Sequence, residues 1–258
     1  MAQARRKHLV RLIEERGFVR VTDAADELGV SDVTIRGDLS ELERRGAVVR
    51  VHGGAMPTAA LREPSLETAL DRDAAAKRAI GVAAASLVAS GESIYVDAGS
   101  TGMALAQALV ARRELHDVTV VTCGLTIALA LEAAIPRFTV VVTGGTLRPL
   151  QHSLVSPFAA PLLDSVRLDT AFIGCNGVHP ADGVTNVNLA EAEIKSRALA
   201  VSRRHVIIAD ATKIGRTELA VVAPIAAFDT LVTAGDTDDA SPTLRGLERL
   251  GLDVRLAG

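Results

Sequence analysis

Residues 94–109 read IYVDAGSTGMALAQAL, and this stretch decides the fold class. Ile94-Tyr95-Val96 is a short apolar run of strand composition. DAGST follows with small residues, and GMALAQAL returns to the Ala and Leu of a helix. A strand that passes through a short loop straight into a helix is the building unit of an α/β fold. At the start of such a helix the first backbone N–H groups lack intrahelical partners and the dipole is positive, so an anion is favoured. Gly99, Ser100 and Thr101 stand at that point, where small side chains admit a phosphate and two hydroxyls add donors. The loop is neither GxxxxGK[ST] nor GxGxxG, so it matches no P-loop or dinucleotide fingerprint. Many strand–helix turns carry Gly and Ser only as caps, and the loop alone does not separate that reading from a phosphate site.

The same alternation extends in both directions. SIYV (93–96), VTVVT (118–122), FTVVVTGG (138–145), TAFIG (170–174), HVIIAD (205–210), TLVTAG (230–235) and DVRLA (253–257) have strand composition. Between them lie the helical runs 101–113, 125–134, 157–166, 189–202 and 241–251. Strands without polar alternation predict a mostly parallel sheet covered on both faces. In an open sheet of this kind the carboxyl ends of the strands line the ligand crevice. Asp97, Thr122, Gly144, Gly145, Gly174, Asn176, Asp210 and Lys213 are expected at that rim, in the loops 122–126, 143–149, 174–178 and 210–215. On the helix that begins near Asn188, Glu191 and Lys195 are four apart. That spacing fits a plain surface ion pair as well as it fits a ligand role.

Toward the N-terminus the composition changes near residue 56. Residues 1–56 hold ten Lys/Arg and nine Asp/Glu, the dense charge of a small helical module. Pro57 and Pro64 bracket a segment that reads as a linker, since proline disfavours helix before it. The expected division is a small helical module over 1–56, a linker over 57–75 and a larger α/β domain over 76–258, with the Ala-rich run 65–90 connecting the modules. Residues 5–17 predict a helix with Leu9, Leu12 and Ile13 on one face, followed by Phe18, Val19 and Val21. Thr22 is expected to cap a short helix ending at Leu28, Gly29-Val30 to form a tight turn, and Ser31 to cap a second helix that Gly46 ends. Two short helices about such a turn make a helix-turn-helix, and AVVRVHGGAM (47–56) predicts a two-stranded wing. Ile35, Leu39 and Leu42 fall within about 60° of one another on the second helix, forming its buried stripe. Ser31, Val33, Thr34, Arg36, Gly37 and Ser40 are then the candidate DNA contacts, with Arg50 and His52 near the DNA backbone. Arginine pairs bidentately with guanine or a phosphate, hydroxyls bond either, and valine packs on a thymine methyl. The alternative is an ordinary helical hairpin with solvated arginines.

Composition narrows the function classes further. The chain has 258 residues, 48% of them hydrophobic, which excludes wholesale disorder. Aromatics are 2%, with no Trp and one Tyr, which argues against recognition by aromatic stacking. A net charge of -3 rules out a global polycation but not a local basic face. Cys123 and Cys175 form no CxxC pair, and the scattered histidines show no metal-ligand spacing, so no metal or cofactor is expected. Charge interrupts the N-terminal segment and no run of 18 apolar residues exists, so neither a signal peptide nor a membrane span is expected. A cytoplasmic protein of two domains is the expectation.

VSDVTIRGDLSELERRGAVVRVHGGA (30–55) resembles the signature of DeoR-family bacterial transcription regulators, VS..TIR.DL..LE..G...R.HGGA. One departure is visible: the family usually carries a second arginine where this chain has Gly37. Losing one donor, with glycine in a helix, implies the same mode of binding with an altered or weaker operator preference. The resemblance continues through DAGST, VVTCGLTIAL, VVVTGGTLRP, DTAFIGCNGV, DGVTN…EAEIK and IIADATKIG, covering roughly residues 92–233. It implies a sensor domain resembling ribose-5-phosphate isomerase and a phosphorylated sugar or related metabolite as effector. It further implies Gly99, Ser100 and Thr101 as the phosphate loop, Lys213 as a charge partner, and Asp97, Glu191 and Lys195 near the sugar.

An isomerase of that fold needs carboxylates placed for proton transfer. The enzyme that the sensor domain resembles carries an acidic DGADE-type cluster where this chain has Ile173-Gly174-Cys175-Asn176-Gly177. The acids are gone, which implies binding without catalysis. The expected function is a transcription regulator, a repressor of a carbohydrate operon, working on double-stranded DNA as a homo-oligomer (dimer or tetramer). The competing reading is a sugar-phosphate isomerase with an appended helical module.

Overall fold

In the first part of the chain the apolar residues at helical spacing turn inward together. Helix α1 (Ala2–Arg16) contributes Leu9, Leu12 and Ile13 to a core shared with Val19, Val21, Ala24, Ala25, Ile35, Leu39, Leu42, Val48 and Ala55. Strand β1 (Val19–Arg20), helices α2 (Val21–Leu28) and α3 (Asp32–Arg44), and strands β2 (Val48–Val51) and β3 (Gly54–Pro57) complete a winged helix-turn-helix. The strands form a sheet of order β1-β3-β2 with antiparallel pairs, so the expected two-stranded wing gains a third strand. That strand moves the helix start: α2 follows directly on Arg20, and Thr22 is already helical, its hydroxyl donating to Asp23 Oδ1 at 3.2 Å instead of capping. Gly29 takes the left-handed conformation (φ +63°) that closes α2, and the Ser31 side chain caps α3 by accepting from Thr34 N at 3.3 Å.

The computed structural model describes residues 2–16, 19–45, 47–51, 53–57, 64–238 and 240–258. Two compact units divide the chain, Met1–Pro64 and Ser65–Gly258. Residues 58–63 of the expected linker, together with Phe18, Gly46 and His52, lie outside the described residues. The Ala-rich run 65–90 is not one connecting helix. Ser65 caps α4 (Leu66–Asp71), Asp73 turns the chain at φ +50°, and α5 (Ala74–Ala85) follows, both helices belonging to the second unit.

The second unit is built around a sheet of seven strands, all at the segments expected from composition, with five short strands beside it. In chain order they are β4 (Ser93–Val96), then β5 (Val118–Thr122) after α6 (Ser100–Ala111), and β6 (Phe138–Val142) after α7 (Leu125–Leu131). A hairpin follows, β7 (Thr146–Arg148) and β8 (Ser153–Val155), with α8 (Ala159–Asp164) leading to β9 (Leu168–Ile173). Next come β10 (Gly177–His179), β11 (Gly183–Asn186) and α9 (Leu189–Ala200), then β12 (Ser202–Ile208) and β13 (Ala220–Ala223). The chain closes with β14 (Thr230–Thr233), α10 (Ser241–Arg249) and β15 (Asp253–Leu256). The large sheet has the order β15-β14-β12-β9-β4-β5-β6 and every pairing in it is parallel. β7 and part of β10 fall in the segments 143–149 and 174–178 expected as loops, and β8, β11 and β13 are strands that composition does not mark; all are short, and partners distant in sequence specify them rather than a local pattern.

Successive residues along each central strand serve opposite faces. Ile94, Val96, Phe172, Val206, Ile208 and Val232 enter a core with α5, α6 and α7, while Tyr95, Ala171, Ile173, Ile207 and Leu231 enter a second core with α8, α9 and α10. Alanine and glycine let α5 and α6 pack closely: a Cβ on Gly81 would lie 2.5 Å from Ala104 O. The chain adds β5 and β6 on one side of β4, then returns to add β9, β12, β14 and β15 on the other. The strand order therefore reverses between β4 and β9, the point in an open parallel sheet whose carboxyl ends are where ligands bind.

Candidate functional site

In the first unit the candidate contacts share one open face of α3. Val33 (76% exposed), Arg36, Gly37 and Ser40 are exposed, as is the cap Ser31, and Thr34 is half-buried. Ser40 Oγ donates to Arg36 O at 2.8 Å and receives a bond from Arg50 Nη1 at 2.9 Å, so the wing arginine stands beside the helix face. Arg36 keeps only a loose 3.9 Å pair with Asp32. The other side of α3 carries a residue that periodicity did not single out. Asp38 is buried and accepts from Arg5 Nε at 2.5 Å and Arg6 Nε at 2.7 Å, tying α1 to α3. Burial opposes its charge, but the two guanidinium groups outweigh that and hold its carboxyl below the usual aspartate range.

The second site lies at the reversal point of the large sheet. Asp97, ending β4, accepts from Gly174 N at 3.0 Å, and Lys195 Nζ bonds both Asp97 Oδ2 and, at 3.0 Å, Gly174 O. Lys195 and Asp97 are 4% and 2% exposed, so this is a buried pair and not a surface one. Glu191 takes other partners: Arg148, Ser153 Oγ at 2.5 Å and Asn186 Nδ2 at 3.4 Å. Glu191 and Lys195 do not form the plain surface pair that their spacing allows but enter two buried clusters, because α9 lays this face against the strand ends. Burial pushes the Asp97 carboxyl up, and Lys195 counteracts part of that. Burial also works against the Lys195 charge, but Asp97 and Glu191 outweigh it and raise its pKa. For Glu191 burial is opposed by Lys195, Ser153, Arg148 and Asn186, which together lower its pKa.

Around this centre the expected rim residues divide by role. Thr122 is buried and its hydroxyl accepts from Gly124 N at 3.0 Å, closing the turn after β5. Gly145, at φ +127°, lets β8 approach, since a Cβ there would lie 1.9 Å from Val155 O. Gly144 adopts φ +72° on the same turn. Asn176 Oδ1 accepts from Val187 N at 3.1 Å, and Asp210 caps the 3-10 turn 211–213 through Thr212 N at 3.0 Å. Asp210 also faces the buried Lys77 at 4.0 Å, which caps α4 by donating to Ala69 O at 2.8 Å and to Arg72 O. Thr122, Asn176 and Asp210 thus spend their side-chain polar atoms on the turns at the strand ends. What stays available is the turn Gly99-Ser100-Thr101 and Lys213. Gly99 has φ +111°, α6 starts beside it, and its first intrahelical bond is Met103 N to Gly99 O at 2.9 Å. The Ser100 and Thr101 hydroxyls make no hydrogen bond to the described residues, and Lys213 makes no ion pair with them. β4 and β12 are separated by β9 alone, which sets their ends roughly 10 Å apart. Gly102 completes the turn and was not foreseen: a Cβ there would lie 2.0 Å from Asp97 O.

Neither cysteine is poised for redox chemistry. Burial pushes both the Cys123 and the Cys175 thiol up to about 12, and Cys123 Sγ accepts from Tyr95 OH at 3.1 Å. No described helix is long and apolar enough to cross a membrane.

A winged helix with an open face, followed in the chain by a parallel-sheet domain, is the make-up of a DNA-binding regulator. Residues 5–58 match the DeoR-like helix-turn-helix domain and residues 72–235 match the DeoR C terminal sensor domain, so the chain belongs to the DeoR family. It is 31% identical over 257 residues to a putative aga operon transcriptional repressor of Escherichia coli O157:H7, covering 98% of this chain and 93% of that protein. It is 30% identical over 213 residues to the lactose phosphotransferase system repressor of Staphylococcus aureus, covering 81% and 83%. Among solved structures, ribose 5-phosphate isomerase A from Methanocaldococcus jannaschii aligns over 53% of this chain and 52% of its own at 18% identity, with a TM-score of 0.39.

Proposed function

We propose that this chain is a cytoplasmic repressor of a carbohydrate-metabolism operon whose operator affinity is set by a phosphorylated sugar or related metabolite. The observation that carries the reading is the open face of α3: Val33, Thr34, Arg36, Gly37 and Ser40 stand together, with Arg50 of the wing beside them. A monomer presents few such contacts, so the protein acts as a symmetric homo-oligomer, dimer or tetramer, on double-stranded DNA. Ser31 serves this face as its cap, and His52 belongs to the same wing by sequence. The effector's phosphate takes the free donors of Gly99, Ser100 and Thr101 with Lys213 as countercharge, while Asp97, Glu191 and Lys195 face its hydroxyls. Thr122, Gly144, Gly145, Gly174, Asn176 and Asp210 shape the crevice. An effector that prefers the DNA-incompetent arrangement draws the population away from the operator by linkage.

The relatives are regulators, and we assign this chain no catalytic step. Ile173-Gly174-Cys175-Asn176-Gly177 offers no carboxylate, and the carboxylates that are present, Asp97 and Glu191, are bound up with Lys195 and Arg148. Operator binding tests the DNA half of the reading. Arg36→Ala is expected to cost about 1–3 kcal/mol and relax specificity at one base pair; equal weakening on every duplex makes Arg36 a phosphate contact instead. A thermal-shift screen tests the effector half, since a ligand at a hundred times its Kd adds about 2.7 kcal/mol. A shift confined to phosphorylated sugars supports the site, and no shift with any of them refutes it.

A further inference from the structure

A sheet edge presents a row of N–H and C=O groups that a further strand can take up, and proteins guard such edges with charge, proline, bulges or a cover. The two edges of the large sheet differ in this respect. β15 carries Asp253 and Arg255, both exposed and paired at 2.7 Å, so that edge is charged. β6 reads Phe138-Thr139-Val140-Val141-Val142, with no charge, no proline and an unbroken register against β5. Thr143 N donates to Thr122 O of β5 at 3.1 Å, so Thr139 and Val141 also direct their backbone groups to β5. Phe138, Val140 and Val142 then turn their N–H and C=O groups outward, where no described residue bonds them.

The surroundings of that edge are apolar. Leu129 of α7, the helix that packs on β6, is 69% exposed, and Ile135 in the connection between the two is 57% exposed. Past the other end of the strand, Phe158 is 68% exposed and stands beside the turn at Gly144, whose added Cβ would lie 3.8 Å from that of Phe158. Val142 is exposed as well. Between Glu132 and Arg148 the one charged residue is Arg137. Its guanidinium donates to Leu115 O at 2.8 Å and Arg112 O at 3.1 Å and covers the Phe138 ring, so it is turned inward and does not guard the edge. These four exposed side chains and the strand edge amount to on the order of 500 Å², more than half of what one partner gives to a standard interface.

We infer that β6 is the seam of the homo-oligomer, pairing antiparallel with β6 of a second copy about a two-fold axis and joining two seven-stranded sheets into one. The inference rests on the homo-oligomer of the proposed function and locates its interface. The outward groups of β6 sit at its middle and at both ends, so the strand matches its own copy. With the axis at Val140, Val140 faces the partner's Val140 and Phe138 faces the partner's Val142, each pair exchanging both backbone bonds. An uncharged patch meets itself without like-charge repulsion, which the charged β15 edge would not do as readily.

The test is sedimentation of full-length wild type, Thr139→Glu, Thr139→Lys and an equal mixture of the two variants. Thr139 is exposed in the single chain and would lie diagonally across the seam from its own copy, within reach of a long side chain. Wild type is expected to sediment as two chains or a multiple of two. Each variant alone should dissociate at least about a hundredfold more readily, since like charges then meet across the axis. The mixture should return to the wild-type mass, opposite charges now meeting. As a second variant, Val140→Cys under mild oxidation should link chains in pairs, because facing residues of such a seam lie about 5.5 Å apart at Cα. Variants that each keep the wild-type mass, or no cross-link at position 140, would overturn the inference while leaving an oligomer assembled elsewhere. A single-chain mass for wild type would overturn the homo-oligomer itself, and the inference with it.

Discussion

The two units keep their functional residues in opposite states. On α3 the candidate contacts are close in sequence and mostly exposed, and the helix that presents them is held by its cap, its buried stripe and the Asp38 tie to α1. At the strand-end crevice the key charges are buried and drawn from far apart: Lys195 meets Asp97 across 98 positions, and Arg148 meets Glu191 across 43. The difference teaches that a surface which reads a large partner depends on what a helix leaves open, whereas a small-molecule crevice depends on charges that the fold must first neutralise. Changes to the second unit should therefore cost stability, and changes to the α3 face should cost binding.

The largest effect sharpens that contrast most. Lys195→Ala leaves Asp97 as an uncompensated buried carboxylate, and urea unfolding of the second unit should show a loss of about 3–5 kcal/mol. Lys195→Met combined with Asp97→Leu should recover much of it, because the pair's desolvation cost is then gone as well. A single variant as stable as wild type would break the claim that the crevice is built on this pair. Gly102→Ala comes next. Its methyl would collide with Asp97 O, and an expected loss of about 3 kcal/mol should appear in the same unfolding experiment.

Asp38 is the buried charge of the first unit among its described residues, and it can be tested alone. Its folded pKa lies below the ordinary value near 3.8, so its contribution is complete above that value and disappears as pH falls through the folded pKa. Unfolding of the first unit followed from pH 7 to pH 2 should show this loss in wild type, and Asp38→Asn should flatten it while costing about 2 kcal/mol at pH 7. The smallest effect is that of Ser31→Ala, expected to cost about 1 kcal/mol through loss of the α3 cap. A far larger drop would mean that Ser31 does more in the free protein than accept from Thr34 N.

How much could be read from the sequence follows the same division. Local patterns placed all seven strands of the large sheet and the Ile35–Leu39–Leu42 stripe, because alternation and helical spacing are properties of neighbouring residues. They misjudged Thr22, because pairing of Val19–Arg20 with β3 decides where α2 begins. They could not resolve Glu191 and Lys195, whose spacing suits a surface pair; only α9 packing over the ends of β4 and β9 gives each a different buried partner. Arg148 falls in the expected loop 143–149, Ser153 in a stretch that no local pattern marks, and Lys77 in the Ala-rich run expected to connect the modules. Gly102 had a signal that went unused: a second glycine three residues after Gly99, at the start of a helix, implies close approach of another backbone.

The central claim is that occupation of the strand-end crevice in one unit controls operator binding by the other. The most direct measurement is operator affinity for wild type and Lys213→Ala, with and without a phosphorylated sugar that shifts wild-type unfolding. The account predicts that the sugar changes wild-type affinity at least about tenfold, a coupling of roughly 1.4 kcal/mol, and that Lys213→Ala matches wild type on bare operator but has lost the response. Equal operator affinity with and without the bound sugar, or a Lys213→Ala protein that responds as wild type does, would contradict it.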